Sequence, residues 1–160
     1  FFFHADPGIR DCLLSRGLGD VYKRQNLNTD IKSMEEMMSD EIVTGVCNLY
    51  FNSLNANDLE GVTEALHFPH FWIMASGMVH TWNSAEDLWT WFTNRTSDDG
   101  WHHSTFDSIQ PEKLTETKFH VNVTFGRYKE DNSLIGKYYS LYVMTYDEEK
   151  WAMRAASVTG

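Results

Sequence analysis

The run GWHHSTFDS at residues 100–108 concentrates side chains that can do chemistry: two adjacent histidines after Trp101, then Asp107. Histidine titrates near neutral pH and serves as a general base when a neighbour orients its ring. On a strand, side chains repeat every two residues, so His103 and Asp107 share a face with Thr105 between them. Four residues of extended chain span about 13 Å, too far for a direct base–carboxylate pair along one flat strand. The run is therefore no catalytic dyad by itself, and a base at His103 needs partners from other elements. The histidines show no H-x-E…C-x-x-C or H-E-x-x-H spacing, so no metal is expected. No glycine-rich phosphate loop accompanies them, since Gly17 and Gly19 belong to an irregular leader. No cofactor is expected.

The elements that must position these groups begin at Ser39. SDEIVTGVCNLYFNSLNAND opens with a capping residue and early acids, then places Ile42, Val46, Leu49, Tyr50 and Leu54 on one helical stripe. Asn57 or Asp58 caps a second, shorter helix through about Leu66, before Pro69. HFPHFWIMASG and MVHTWN form a strand pair turning at Ser76-Gly77. Ser84, with Asp87 three residues on, caps a third helix with Ala85, Leu88, Trp89 and Phe92 on one face, and SDDG breaks it. The period then switches to two in runs 101–110, 117–130, 134–147 and 150–159, with turns at Gln110-Pro111, Glu130–Ser133 and Asp147–Glu149. Helices followed by antiparallel strands make an α+β layout.

Composition bounds the function. A chain of 160 residues with 42% hydrophobic content buries a full core as one globular domain. The formal charge of −10, from 13 basic and 23 acidic residues, argues against nucleic acid and anionic membrane surfaces as partners. Nothing approaches the apolar run of about 20 residues that a membrane span needs. Residues 1–25 lack helical or strand period and a signal-peptide pattern. Through SRGLGDVYKRQ they resemble the peptide translated from sequencing-adapter DNA at the edge of a metagenomic read, and are set aside as a non-native leader. Residues 26–38 are expected to be disordered or the start of the first helix, and 39–160 the domain. Cys12 falls in the leader, which leaves Cys47 alone in an apolar stretch. A lone cysteine makes no internal disulfide, so a reducing, cytoplasmic compartment is the simplest expectation. The sequons at Asn94 and Asn122 read as chance matches.

LYFNSLNANDLEGVTEAL at 49–66, the ASG turn at 75–77 and SLYVMTYDEEKWAMRAAS at 140–157 together resemble the nuclear transport factor 2-like superfamily, in its SnoaL-like and ketosteroid isomerase-like branches. The resemblance covers residues 39–160. It implies a cone: a strongly curved antiparallel sheet wrapped around three helices, with a pocket at the open end. Isomerases, cyclases, hydrolases, dehydratases and pure binding modules share this fold, so it leaves function open. Against the isomerase pattern, Tyr50 matches the oxyanion tyrosine and Tyr142 takes the place of a protonated aspartate, so a pair of donors survives. The base does not: its position corresponds to about Ala75, which cannot accept a proton. A plain core role is the alternative for Tyr50.

A base is then sought among His103, His67 and His70, the last two flanking Phe68-Pro69 where the chain enters the cone. A structural or rim histidine is the alternative at each. Ligand contacts are expected from His67, His70, Trp89, Asp107, Asn122 and Tyr138. Pairing 117–130 with 134–147 across Asp131-Asn132 sets Tyr142, Ser140, Tyr138, Asn122 and Thr124 on one face. Phe119, Val121, Val123, Phe125, Leu141 and Val143 fall on the other, an apolar face that a second subunit would cover. A one-residue register slip would instead turn those side chains into core. The reading is a domain binding a small apolar or aromatic, oxygen-bearing molecule, homodimeric through its sheet. The alternative is a cofactor-independent isomerase, cyclase or lyase using tyrosine donors and a histidine base.

Overall fold

The computed structural model describes residues 14–96 and 99–159. Contacts divide the chain into two units, Phe1–Met37 and Met38–Gly160. The described backbone of the first is helical from Leu14, whereas residues 1–13 of the expected leader lie outside the described residues. Helix α1 (Leu14–Ala56) is continuous, so Ser39 and Asp40 fall inside it instead of opening it. Its buried stripe is Val43, Cys47, Tyr50, Phe51 and Leu54, while Ile42 is exposed. The apolar spacing is as expected for one helix face, rotated by one residue. Asn57 takes a left-handed backbone (φ 56°) that ends the helix, and its N–H donates to Leu54 O.

Asp58 caps α2 (Leu59–Ala65) by accepting from Gly61 N at 3.1 Å. The hairpin follows as β1 (Leu66–Ile73) and β2 (Val79–Trp82), turning through Gly77 at φ 81°. Ser84 Oγ accepts from Asp87 N at the start of α3 (Ala85–Thr96), as the sequence predicts. Strands β3 (His103–Thr115), β4 (Lys118–Tyr128), β5 (Leu134–Asp147) and β6 (Lys150–Val158) complete the fold.

The turn expected at Gln110-Pro111 is absent: β3 runs through it, with Pro111 opposite Val121. Strand order β2-β1-β6-β5-β4-β3 makes β3 an edge, where proline is tolerated because its missing N–H can face outward. The sheet is mixed, since β1 pairs with β6 in parallel and every other pairing is antiparallel.

The β4–β5 register corrects the expected faces. Beside the turn Tyr128 pairs with Leu134, but Arg127 pairs with Gly136, so Ile135 is bulged out. That extra residue shifts every later pair by one. Tyr142 therefore stands opposite Val121, and Ser140 opposite Val123. Phe119, Val121 and Val123 are fully buried core, not an outward apolar face. Asn122, opposite Leu141, lies on the other face from Tyr142, Ser140 and Tyr138. Against the inner face packs α1: Phe51 stacks on Phe106 at 3.8 Å and meets Phe125 edge-on at 5.1 Å.

Candidate functional site

A cavity opens between the helices and the inner sheet face, enclosing about 650 Å³ with its open mouth included. Helix α1 supplies Tyr50, Phe51 and Leu54, and α3 supplies Leu88, Trp91 and Phe92. The sheet supplies Trp72 and Trp82 from the hairpin, Phe125 and Arg127 from β4, Tyr138 and Tyr142 from β5, with Ser104 and Val158. Strand alternation explains the choice: Val121, Val123, Phe125 and Arg127 share one parity and face inward. Three tryptophans form one wall, Trp82 lying 5.6 Å from Trp72 and 5.2 Å from Trp91 between ring centroids.

The two predicted donors meet here. Tyr50 and Tyr142 stand edge-to-face with centroids 6.4 Å apart, and both are almost wholly buried. Burial holds the Tyr50 phenol protonated far above its ordinary range; burial, then the neighbouring Tyr50 and Cys47, does the same for Tyr142. Both rings are thus hydrogen-bond donors at any ordinary pH. Trp72 adds a buried indole N–H without a partner, and Ser140 Oγ, between Tyr138 and Tyr142 on the same face, is likewise unpartnered. Cys47 lies in the core beneath, its thiol pushed up to about 12 by burial, which makes it an inert small hydrophobe.

Most of the other predicted residues lie elsewhere. His67 and His70 are buried, and neither lines the cavity. His67 Nε2 donates to Thr145 O at 3.2 Å, and His70 Nδ1 donates to Met153 O at 3.0 Å. Carbonyls only accept, so these bonds assign the proton in each neutral ring. Burial lowers both pKa values, that of His70 to about 4. His103 stacks on Tyr128 at 5.3 Å and shares a 3.1 Å Nδ1–Nδ1 contact with His102. Asp107 is paired to Lys137 Nζ at 2.6 Å. Asn122 Oδ1 accepts from the Tyr139 hydroxyl on the outer face. Trp89 packs against Phe92 at 6.2 Å, and Tyr138 does line the cavity.

From the run at residues 100–108, it is Ser104 that reaches the cavity. Asn55, in the last turn of α1, clamps it by accepting from Ser104 N at 2.8 Å and donating to Ser104 O at 2.9 Å. Trp101 Nε1 donates to Ser104 Oγ at 2.9 Å.

Sequence reasoning missed Arg127, the one charged residue of the lining among the described residues. The signal was present: a charge continuing the inward parity of Phe119, Val121, Val123 and Phe125. Arg127 Nη2 lies 2.9 Å from Asp99 Oδ2, close enough for an ion pair. The N–H is not aimed at that oxygen, so this buried nitrogen has charge compensation without a directed hydrogen bond. Among the described residues, no three His, Cys, Asp or Glu side chains cluster to hold a metal ion, and no helix is long and apolar enough to cross a membrane.

No family model and no curated protein matches this chain in sequence. Solved structures do match in fold. One is an NTF2-like protein of unknown function from Shewanella oneidensis MR-1, at 10% identity and TM-score 0.61, covering 75% of this chain and 98% of that one. Another, from Nostoc punctiforme PCC 73102, is a protein of unknown function with a cystatin-like fold, at 12% identity and TM-score 0.62, over 74% of this chain and 87% of that one. Aln2 from a Streptomyces species is similar at 13% identity and TM-score 0.59, over 74% and 87%. The α+β cone fold of the NTF2-like proteins is thereby established. At such identities the likeness speaks for fold alone, and function rests on the site.

Proposed function

We propose that the domain binds a small apolar or aromatic, oxygen-bearing molecule in its cone cavity. One observation carries this reading: two phenols held protonated by burial line a single aromatic-walled cavity, edge-to-face at 6.4 Å. Their pairing gives a ligand carbonyl or ether oxygen two donors in a water-poor setting, where each hydrogen bond counts for more than in water. The tryptophan wall supplies the matching surface for a flat apolar body.

Binding is favoured over catalysis because, among the described residues, the lining holds neither a carboxylate nor an imidazole. A proton-transfer reaction needs a base within hydrogen-bond reach of the substrate. His67 and His103 make their contacts away from this lining, and His70 stacks on Trp82 at 5.8 Å without itself lining the cavity.

The test is titration with 2-acetylnaphthalene, a flat neutral ketone, followed by quenching of the wall tryptophans. Saturable quenching is expected. Tyr50→Phe and Tyr142→Phe should each weaken binding by about 0.5–1.5 kcal/mol, the net worth of one neutral hydrogen bond. Absence of saturation up to the solubility limit, or full affinity in both variants, would overturn the reading.

A further inference from the structure

Arg127 is an expensive residue to place on an aromatic wall. Its guanidinium cannot lose its proton in a protein, and it is 9% exposed. Compensation is one-sided. Asp99 Oδ1 accepts from Trp101 N at 3.0 Å, and Oδ2 lies 2.9 Å from Arg127 Nη2 without a directed hydrogen bond between them. The parallel two-bond fork that guanidinium and carboxylate prefer is therefore not made with Asp99. Beneath the guanidinium lies the Tyr138 ring, with Cζ 5.8 Å from its centroid, a contact that holds the plane but supplies no acceptor oxygen. A buried cation with a nitrogen that lacks a directed hydrogen bond is what a cavity offers to an anion.

Position adds to this. Arg127 stands six residues along β4 from Val121, the partner of Tyr142. Six residues of strand measure about 20 Å of backbone, so Val121 and Arg127 stand well apart along β4. The same lining carries the apolar surfaces of Phe51, Phe125 and the tryptophan wall.

We infer that the ligand of this cavity is an aryl or polycyclic carboxylic acid whose carboxylate is received by Arg127 in competition with Asp99. This rests on the cavity being a ligand site, and adds the charge and orientation of what enters it. Asp99, at the partly exposed side of the pair, keeps the guanidinium compensated in the empty cavity and yields to the ligand's carboxylate.

The experiment compares 2-naphthoate with 2-naphthamide, which has the same ring and nearly the same shape but no charge. Wild type should bind naphthoate at least about tenfold more tightly, the lower end of what a hydrogen bond to a charged group contributes. Arg127→Met should bring the two affinities together by weakening naphthoate far more than naphthamide, and saturable naphthamide binding reports that the variant is folded. Asp99→Asn removes the competitor from a partly exposed position and should tighten naphthoate alone, which keeps the test open if Arg127→Met does not fold. Equal affinities in wild type, a preference that survives Arg127→Met, or a ratio unmoved by Asp99→Asn would each overturn the inference and leave the cavity reading standing. Failure of both naphthalenes to bind would bring down the two together.

Discussion

His70 donates from Nδ1 to Met153 O, is wholly buried, and leaves Nε2 without a partner. Protonating it would place a charge on Nε2 where nothing accepts its hydrogen, so burial lowers its pKa to about 4, against 6.5 in an ordinary setting. The sign of the consequence follows from linkage. Between these values the unfolded chain binds a proton that the folded one refuses, so stability is intact above pH 6.5 and falls as pH drops towards 4. The full effect is about 3 kcal/mol. His67 shifts in the same direction, first through burial, and adds to the slope. Urea unfolding at pH 7.5 and 4.5 should show this loss, and His70→Gln, which can still donate to Met153 O but does not titrate, should lose much less. A variant with the wild-type pH slope would remove His70 from the account. One ring nitrogen of each histidine is thus held by a backbone carbonyl, a contact between elements that no local pattern in HFPHFW could announce.

Helix α2 approaches α1 closely at Gly61. A Cβ there would come within 2.9 Å of Ser53 Cβ and 2.6 Å of Asp58 Oδ2, the oxygens and carbons that cap and crowd the helix junction. Intrinsic propensity favours alanine over glycine in a helix by about 1 kcal/mol, whereas forcing atoms into a packed site costs about 1–3 kcal/mol. Overpacking wins, so Gly61→Ala is expected to lower stability. Gly45→Ala, where nothing lies within 4 Å of the added carbon, should raise it slightly. Thermal melts of the two variants decide the matter, and a stabilised Gly61→Ala would show that Ser53 yields at no cost. At this level the sequence was generous: capping residues Asp58 and Ser84 and the turn at Gly77 all lie where spacing put them. It was less so in the sheet. Pro111 suggested a turn because edge position is a property of strand order, invisible locally. The bulge at Ile135 had one sign, Gly136 beside it in a strand pattern, with the Tyr138 hydroxyl folded over the space a side chain would take.

That single bulge redistributes apolar surface over the whole domain. With Phe119, Val121 and Val123 turned inward, Val123→Glu would bury an unpaired charge in the core and unfold the domain instead of dissolving a dimer. The outer face nevertheless keeps apolar groups of its own. The rows Val79–Ile73–Ser157–Leu141 and Thr81–Phe71–Ala155–Val143 run across four strands, and Phe71, Ile73 and Val79 are 38%, 39% and 54% exposed. A contiguous exposed apolar patch is costly to leave in water, so a homodimer through this face remains the proposal, now resting on different side chains. Strong net negative charge opposes self-association at long range, and screening by salt should therefore favour the dimer. Ile73→Lys sits on the outer face and spares the core. It is expected to yield monomers with a melting temperature close to that of the dissociated wild type, as read by light scattering across a dilution series in low and high salt. A wild type that stays monomeric at its highest soluble concentration in high salt would end the proposal.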